Sequence, residues 1–260
     1  ASELFSANAT RSYRAAYEKI AVAKPGLVFV SQTSRNAFEK EYGRNFAFLE
    51  VIPLYAREGT DFDEPRPIHG IPGPFFLGVG AMENRKNHAA TILAFRQSGL
   101  GALGVSLVIC GPRGDASEQL VALAADTPGV MLIGYVTDAQ LRWLYESAIA
   151  FVLPSRLEGF GMPALEAARY GLPPIISDDS ALNEAVGGLG LAIPSESSAA
   201  LSGALLKLHA MPDADRLAWA NTLKAYAAEN TRERFMDRWR ALMARVLAGA
   251  NAGVSPVDFT

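Results

Sequence analysis

The stretch "AIAFVLPSRLEGFGMPALEAARYGLPPIIS", residues 148–177, carries one complete structural unit. It opens on the apolar run "AIAFVL" (148–153) and passes through the glycine-flanked loop Gly159-Phe160-Gly161. A helical pattern then begins near Pro163, whose fixed φ suits a first helical turn, and stops at Gly171, which can take the left-handed conformation that ends a helix. The unit closes on a second apolar run, "PPIIS" (173–177). Both runs are continuous rather than alternating, the pattern of strands buried on both faces of a parallel sheet.

The same order extends outward in both directions. Further apolar runs are "FFLGV" (75–79), "VSLVIC" (105–110), "VMLI" (130–133) and "GLAI" (190–193), and the segments between them read as helices. Thr137 with Gln140 has the spacing of a capping box. Strands and helices taking turns in this way predict an α/β fold, a doubly wound parallel sheet of the Rossmann-like kind. Two further helices are predicted near Asp213–Glu229 and Thr231–Ala248, followed by a loosely ordered tail.

Ahead of Phe75 the Pro-rich stretch "DEPRPIHGIPGP" (63–74) marks a domain boundary. Before it come a helix (about Ala7–Ala23), the run "GLVFV" (26–30), a helix (about Thr33–Tyr42) and the run "FAFLEVIP" (46–53). Two strands cannot make a doubly wound domain of their own. The expected division is therefore 1–68 as the closing segment of an incomplete amino-terminal domain, 69–250 as the Rossmann-like domain, and 251–260 as tail.

Composition narrows the partners. The chain has 260 residues, half of them hydrophobic, and a net charge of -3, which gives no electrostatic case for nucleic acid. The first 46 residues are mildly basic, with seven Lys/Arg against four acids, so an anionic membrane surface and a solvated helix face are both open readings. No apolar run approaches the roughly 20 residues of a membrane span. One cysteine, Cys110, allows no internal disulfide and makes a cytoplasmic setting the expectation, with Cys110 itself a small core residue.

In open α/β sheets ligands lie beyond the carboxyl ends of the strands, so the loops there carry the chemistry. "GVGAMENRKNHAA" (78–90) has a glycine turn at Gly78 and Gly80 but Glu83 at the third position of a dinucleotide fingerprint, and no P-loop Lys-Ser/Thr pair. What it offers is Arg85 and Lys86 just ahead of a helix, with Asn87 as the expected cap; two cations beside free amides suit a diphosphate, or form a solvated basic turn. Arg113-Gly114-Asp115 reads as an ordinary turn with Asp115 near a helix start. Gly134 would let backbone approach a flat ligand, and Tyr135 offers a ring beside it. In the 148–177 unit, bare amides around Gly159, Phe160, Gly161 and Met162 could receive phosphate, which the carboxylates Glu158 and Glu166 would repel. Carboxylates accept hydrogen bonds, and vicinal hydroxyls are their natural donors. Two polyols flanking one diphosphate describe a nucleotide sugar; carboxylates answering a helix dipole are the plainer alternative.

These loops resemble the carboxyl-terminal half of retaining GT-B glycosyltransferases with two Rossmann-like domains, the large family 4 (glycosyl transferases group 1) that includes bacterial mannosyltransferases. The likeness runs through "FFLGVGAMENRKNH", "LVICGPRG", the E-x7-E segment Glu158 to Glu166 with G-F-G-x-P inside, "SALNEAVG" and "TRERFMDRW", about Phe75 to Ala248. The resemblance implies a hexosyltransferase in which Lys86 pairs with the donor diphosphate near Gly80, with Arg85 a weaker partner. It implies that backbone at Gly134 and Tyr135 receives the base, that Glu166 holds the ribose, and that Glu158 contacts the donor sugar, with Glu158 and Lys86 the catalytic pair. Amides from Gly159 to Met162 would lie near sugar and phosphate, and Glu184 would be supporting structure. The expected substrates are a nucleotide-diphosphate sugar, GDP-mannose before a UDP-sugar, and a saccharide or lipid-linked acceptor. Polysaccharide or lipopolysaccharide assembly at the inner membrane face follows by analogy, with no cofactor and no metal.

Three departures stand out, one of them Val186-Gly187-Gly188-Leu189-Gly190 where relatives often read V-G-D-A-G. The arginine that many members carry after the loop glycine is Ala81 here, which shifts donor binding onto Lys86. None of His69, His88 and His209 matches the histidine of the family's amino-terminal domain, and each is expected to be structural or solvated. The rivals are a metal-dependent transferase using Asp61-Phe62-Asp63, a nucleotide-sugar epimerase, and a module that binds donor without turnover.

Overall fold

The computed structural model describes residues 7–56, 64–178 and 181–251. Six parallel strands form the main sheet: β3 (Phe75–Val79), β4 (Ser106–Cys110), β5 (Val130–Gly134), β6 (Ala150–Leu153), β7 (Pro174–Ser177) and β8 (Leu191–Ile193). Their order across the sheet is β5-β4-β3-β6-β7-β8, so the chain first moves one way from β3 and then returns to build outward from β3's other edge.

The continuous apolar runs have a simple cause. Alternate side chains of each strand enter two separate cores, one on either face. Phe75, Leu77, Val108, Cys110, Phe151, Leu153 and Ile176 face the core closed by α5 (Asp138–Ser147), α6 (Met162–Arg169) and α9 (Asp213–Ala228). Phe76, Leu107, Ile109, Val152 and Ile175 face the core closed by α3 (His88–Ser98), α4 (Ser117–Ala125) and α8 (Ser198–His209). In the four central strands neither face is wet, polar residues are confined to strand ends such as Ser106 and Ser177, and the alternation typical of a half-exposed sheet disappears.

Local signals set the helix ends. Thr137 and Gln140 form the expected capping box ahead of α5. Pro163 lies in the first turn of α6, and Gly171 (φ +72°) follows the helix closely enough that a Cβ there would meet Ala220 of α9 at 3.0 Å. Asn87 differs from expectation. It occupies the cap position of α3 in the left-handed region (φ 58°), but its side chain makes no cap hydrogen bond. Short elements also escaped the sequence reading: 3-10 turns at Asn84–Lys86 and Leu100–Leu103, and α7 (Ala181–Ala185).

The amino-terminal part holds α1 (Ala7–Ala23), β1 (Gly26–Phe29), α2 (Gln32–Tyr42) and β2 (Phe48–Val51), with β1 and β2 paired parallel as a separate two-stranded sheet. Rings of Phe29, Tyr42 and Phe46 gather around the buried Phe38. At the other end α10 (Arg232–Asn251) outruns its predicted end at Ala248 and returns to this part. Phe235 meets Tyr55 at 5.2 Å between ring centroids, and Arg245 pairs with Glu50. The Asp61-Phe62-Asp63 triplet and residues 252–260 of the tail lie outside the described residues. Among the described residues no helix is long and apolar enough to cross a membrane.

The carboxyl ends of β3, β4 and β5 are tied by backbone: Gly80 donates to the Cys110 carbonyl at 2.9 Å, and Gly111 donates to the Gly134 carbonyl at 2.8 Å. Gly111 sits at φ +149°, and a Cβ there would lie 2.0 Å from the Gly80 carbonyl oxygen. Gly111→Ala should therefore destabilise the chain by roughly 2–6 kcal/mol through combined backbone strain and overpacking. Urea unfolding of parent and variant measures this, and an unchanged midpoint would refute the close approach.

Candidate functional site

The reversal of strand order between β3 and β6 leaves a crevice at their carboxyl ends, where the loops that follow diverge. The loop after β3 delivers Arg85 and Lys86 on the 3-10 turn, and the loop after β6 delivers Glu158. They meet in the crevice. Lys86 Nζ lies 2.6 Å from Glu158 Oε1, with only 9% and 7% of the two side chains exposed. Arg85 Nη1 stands 3.4 Å from Glu158 Oε2, while its Nε pairs with Glu83 at 2.7 Å. Ser155 Oγ donates to Glu158 Oε1 at 2.8 Å. Gly80 (φ +148°) makes room for the lysine stem: a Cβ there would meet Lys86 Cε at 3.4 Å.

A buried ion pair persists only if its surroundings hold both partners in place. Three side chains do so. Asn87, freed from capping, donates through Nδ2 to the carbonyls of Pro154 (3.2 Å) and Ser195 (2.9 Å), pinning the lysine turn to the β6 loop. Asp115 accepts the Asn84 amide at 2.8 Å, so it caps the 3-10 turn across the loops rather than the start of α4. Ser155 is fully buried, and its own carbonyl accepts from Ser177 Oγ at 2.7 Å. Sequence reasoning missed Ser155 and Ser177. The available signal was a serine at the end of each apolar run.

The remaining predicted residues lie at the carboxyl end of β5 and in the loop and helix that follow β6. Gly134 ends β5 at φ +66°, and Tyr135 projects from the strand end with 82% of its surface exposed. Gly161 (φ +104°) occupies the cap position of α6, where a Cβ would strike Leu182 at 2.4 Å. Phe160 is buried beneath this turn, and Met162 begins the helix. Glu166, one helical turn further in, is buried and accepts a hydrogen bond from the Tyr145 hydroxyl at 3.0 Å. Glu158 thus meets two cations and a serine hydroxyl, and Glu166 accepts from the Tyr145 hydroxyl.

Residues 61–230 match the family of glycosyl transferases group 1. The chain belongs to that family. O-antigen chain mannosyltransferase B of Escherichia coli is 35% identical over 137 residues, covering 51% of this chain and 36% of that protein. O-antigen chain mannosyltransferase RfbU of Salmonella typhimurium is 27% identical over 191 residues, 72% of this chain and 52% of its own length. The chain therefore spans about a third to a half of these relatives. Among solved structures, an α,α-trehalose-phosphate synthase (UDP-forming) of Burkholderia vietnamiensis superposes with a TM-score of 0.76 at 16% identity, covering 90% of this chain and 62% of that one. An E. coli structure bound with UDP-2-fluoro glucose gives 0.73 at 12% identity, covering 90% and 63%. Both likenesses establish a shared GT-B fold.

Within this glycosyltransferase frame, Ala81 sits beside Gly80 without supplying a second cation, leaving Lys86 and Arg85 to carry the positive charge of the loop. Glu184 lies on α7, and its carboxylate reaches the start of α2: Oε1 accepts the Gln32 amide at 2.6 Å and Oε2 the Thr33 amide at 3.1 Å. Cys110 is a core residue whose thiol burial pushes up to about 12. His69 lies in the linker and His209 in the last turn of α8.

His88 is the unusual histidine. It is fully buried under Gly78, 3.5 Å from where a Cβ on that glycine would stand, and neither ring nitrogen makes a well-formed hydrogen bond among the described residues. Burial pushes its pKa down to about 4, the Lys86 charge adds to this, and a backbone contact with Gly80 opposes it. The unfolded chain takes up this proton near the ordinary 6.5 and the folded chain only near 4. Between those values protonation favours unfolding, so stability falls as pH is lowered through the window. The expected slope from this group is roughly 1.4 kcal/mol per pH unit. Comparing chemical unfolding of parent and His88→Asn between pH 6.5 and 4 checks it: the variant should lose that slope, and parallel profiles would disprove the buried neutral imidazole.

Proposed function

We propose that this glycosyltransferase chain is the donor-binding part of a retaining hexosyltransferase. It would move a sugar from a nucleotide-diphosphate donor to a saccharide or lipid-linked acceptor. The observation that carries the reading is the buried Lys86–Glu158 pair at the strand-order reversal. An incoming diphosphate replaces Glu158 as the partner of Lys86, and the released carboxylate turns to the hydroxyls of the donor sugar. Lys86, Arg85 and the amides of Gly159 to Met162 then stabilise the negative charge that grows on the leaving diphosphate. Glu166, which accepts from the Tyr145 hydroxyl, would receive the ribose hydroxyls, and the base would lie against Gly134 and Tyr135.

Since the donor's charge is met by side chains and amides, the reading needs neither a metal nor a cofactor. Relatives named as mannosyltransferases support GDP-mannose as donor, and the neighbour bound with UDP-2-fluoro glucose supports a UDP-sugar as second choice. Residues 69–250 would form the donor domain and 1–68 the end of an acceptor-side domain. The basic residues Arg11, Arg14 and Lys19 of α1 favour a site of action at the cytoplasmic face of a membrane.

Calorimetry with GDP, UDP and their sugars tests the site. Lys86→Ala and Glu166→Ala should each weaken nucleoside-diphosphate affinity by roughly 10- to 100-fold, the size of a lost charge-assisted hydrogen bond. Affinity unchanged in both variants would reject the assignment. Turnover, measured as nucleoside diphosphate released from the donor, should persist in EDTA and yield a product of the donor's anomeric configuration; epimerised donor without acceptor would indicate the isomerase chemistry instead.

A further inference from the structure

The amino-terminal part grips the donor loop directly. Ser31 is fully buried at the start of α2, and its Oγ lies 2.7 Å from the carbonyl oxygen of Gly159, the residue after Glu158. Ser34 Oγ stands 3.0 Å from the same oxygen and 2.8 Å from Ser31 Oγ. Two hydroxyl protons serve these three contacts, and every satisfied arrangement places at least one on the Gly159 carbonyl. Ser31 Oγ also accepts the Ser34 amide at 3.0 Å and so caps α2.

The grip is mutual. Glu184 accepts the first free amides of α2, those of Gln32 and Thr33, and the Thr33 hydroxyl at 3.2 Å. A carboxylate there answers both the unpaired amides and the positive end of the helix dipole. Residues 31–34 are thus fastened to the loop after β6 and to α7, 125 to 152 positions away in sequence. Val30 completes the contact, 3.9 Å from where a Cβ on Gly159 would stand.

We propose that Ser31, Ser34 and Glu184 are positioning residues for the donor sugar. Resting on the donor-site reading above, the inference is that they hold the Gly159–Phe160 peptide, next along the chain from Glu158, in the orientation that presents Glu158. The Gly159-Phe160-Gly161 loop has wide backbone freedom, and only outside hydrogen bonds can confine it to one conformation. The hydroxyls act on the peptide that follows Glu158 and make no hydrogen bond to Lys86 or Arg85. Their loss therefore weakens recognition of the sugar more than recognition of the nucleoside diphosphate, which keeps Lys86 and Arg85.

The test compares the parent chain with Ser31→Ala/Ser34→Ala, Ser34→Ala alone and Glu184→Gln. Ser34→Ala keeps the Ser31 cap of α2, so it remains informative if the double variant fails to fold. Calorimetry uses GDP and UDP with the matching GDP-mannose and UDP-glucose. Nucleoside-diphosphate affinity should stay within about twofold, while nucleotide-sugar affinity should fall about tenfold in the double variant, the weight of one or two hydrogen bonds. Ser31→Thr, which keeps a hydroxyl, should restore it. Amide hydrogen exchange across residues 155–162 of the ligand-free chain gives an independent readout, with faster exchange expected in the serine variants. Parent-like sugar binding and parent-like exchange would overturn the proposal while leaving the donor site standing. A parent chain that binds none of the four ligands would overturn both.

Discussion

Lys86 and Glu158 meet at 2.6 Å across the gap between the β3 and β6 loops, each almost wholly withdrawn from water. Removing two charges from water carries a penalty of several kcal/mol per ion, repaid only where geometry is good and further hydrogen bonds complete the pair. Much of the surrounding structure answers that demand. Ser155 supplies the second hydrogen bond to the carboxylate, Asn87 fixes the lysine turn to the opposite loop, and Asp115 caps the turn from a third loop. The turn beside the lysine stem runs through Gly80 at φ +148°, a conformation that residues with a side chain rarely adopt. A site kept ready by an internal carboxylate also discriminates: only a ligand that offers Lys86 a stronger negative partner gains by displacing Glu158.

The sheet makes this arrangement reproducible. Parallel strands buried on both faces end in register, so their loops emerge side by side. Reversal of strand order then parts two neighbouring loops and leaves the crevice. Small residues tighten the helix behind it: Ala164, Ala167 and Ala168 are completely buried, letting α6 lie close to the sheet with Glu166 on its inner side.

The strands were plain in the sequence because burial on both faces writes an unbroken apolar run, and every run from Phe75 onward became a strand within two or three residues of its predicted ends. The α5 capping box was equally plain, since its residues lie four positions from end to end. What could not be read were contacts between distant positions. Asp115 and Asn87 looked like caps of their own helices, yet each serves a neighbour that only folding brings near. Serines at 31, 34 and 155 carry no periodic signal, and a hydroxyl's partner is set by tertiary geometry alone. Glu158 and Lys86 were legible as chemistry through the loop patterns they sit in. Their direct pairing, 72 positions apart, was not.

The path of α10 has a mechanical consequence. The chain leaves the amino-terminal part through the linker, builds the main sheet, and comes back as a helix that rests on Tyr55 and Glu50. One covalent passage, the linker, therefore joins the parts, and the non-covalent contacts of α10 add a second attachment from the other end of the main domain. A body hung on a single tether can swing and spin in any direction. One braced at a second point has fewer ways to move, so the contacts of α10 help keep residues 31–34 seated on the donor loop.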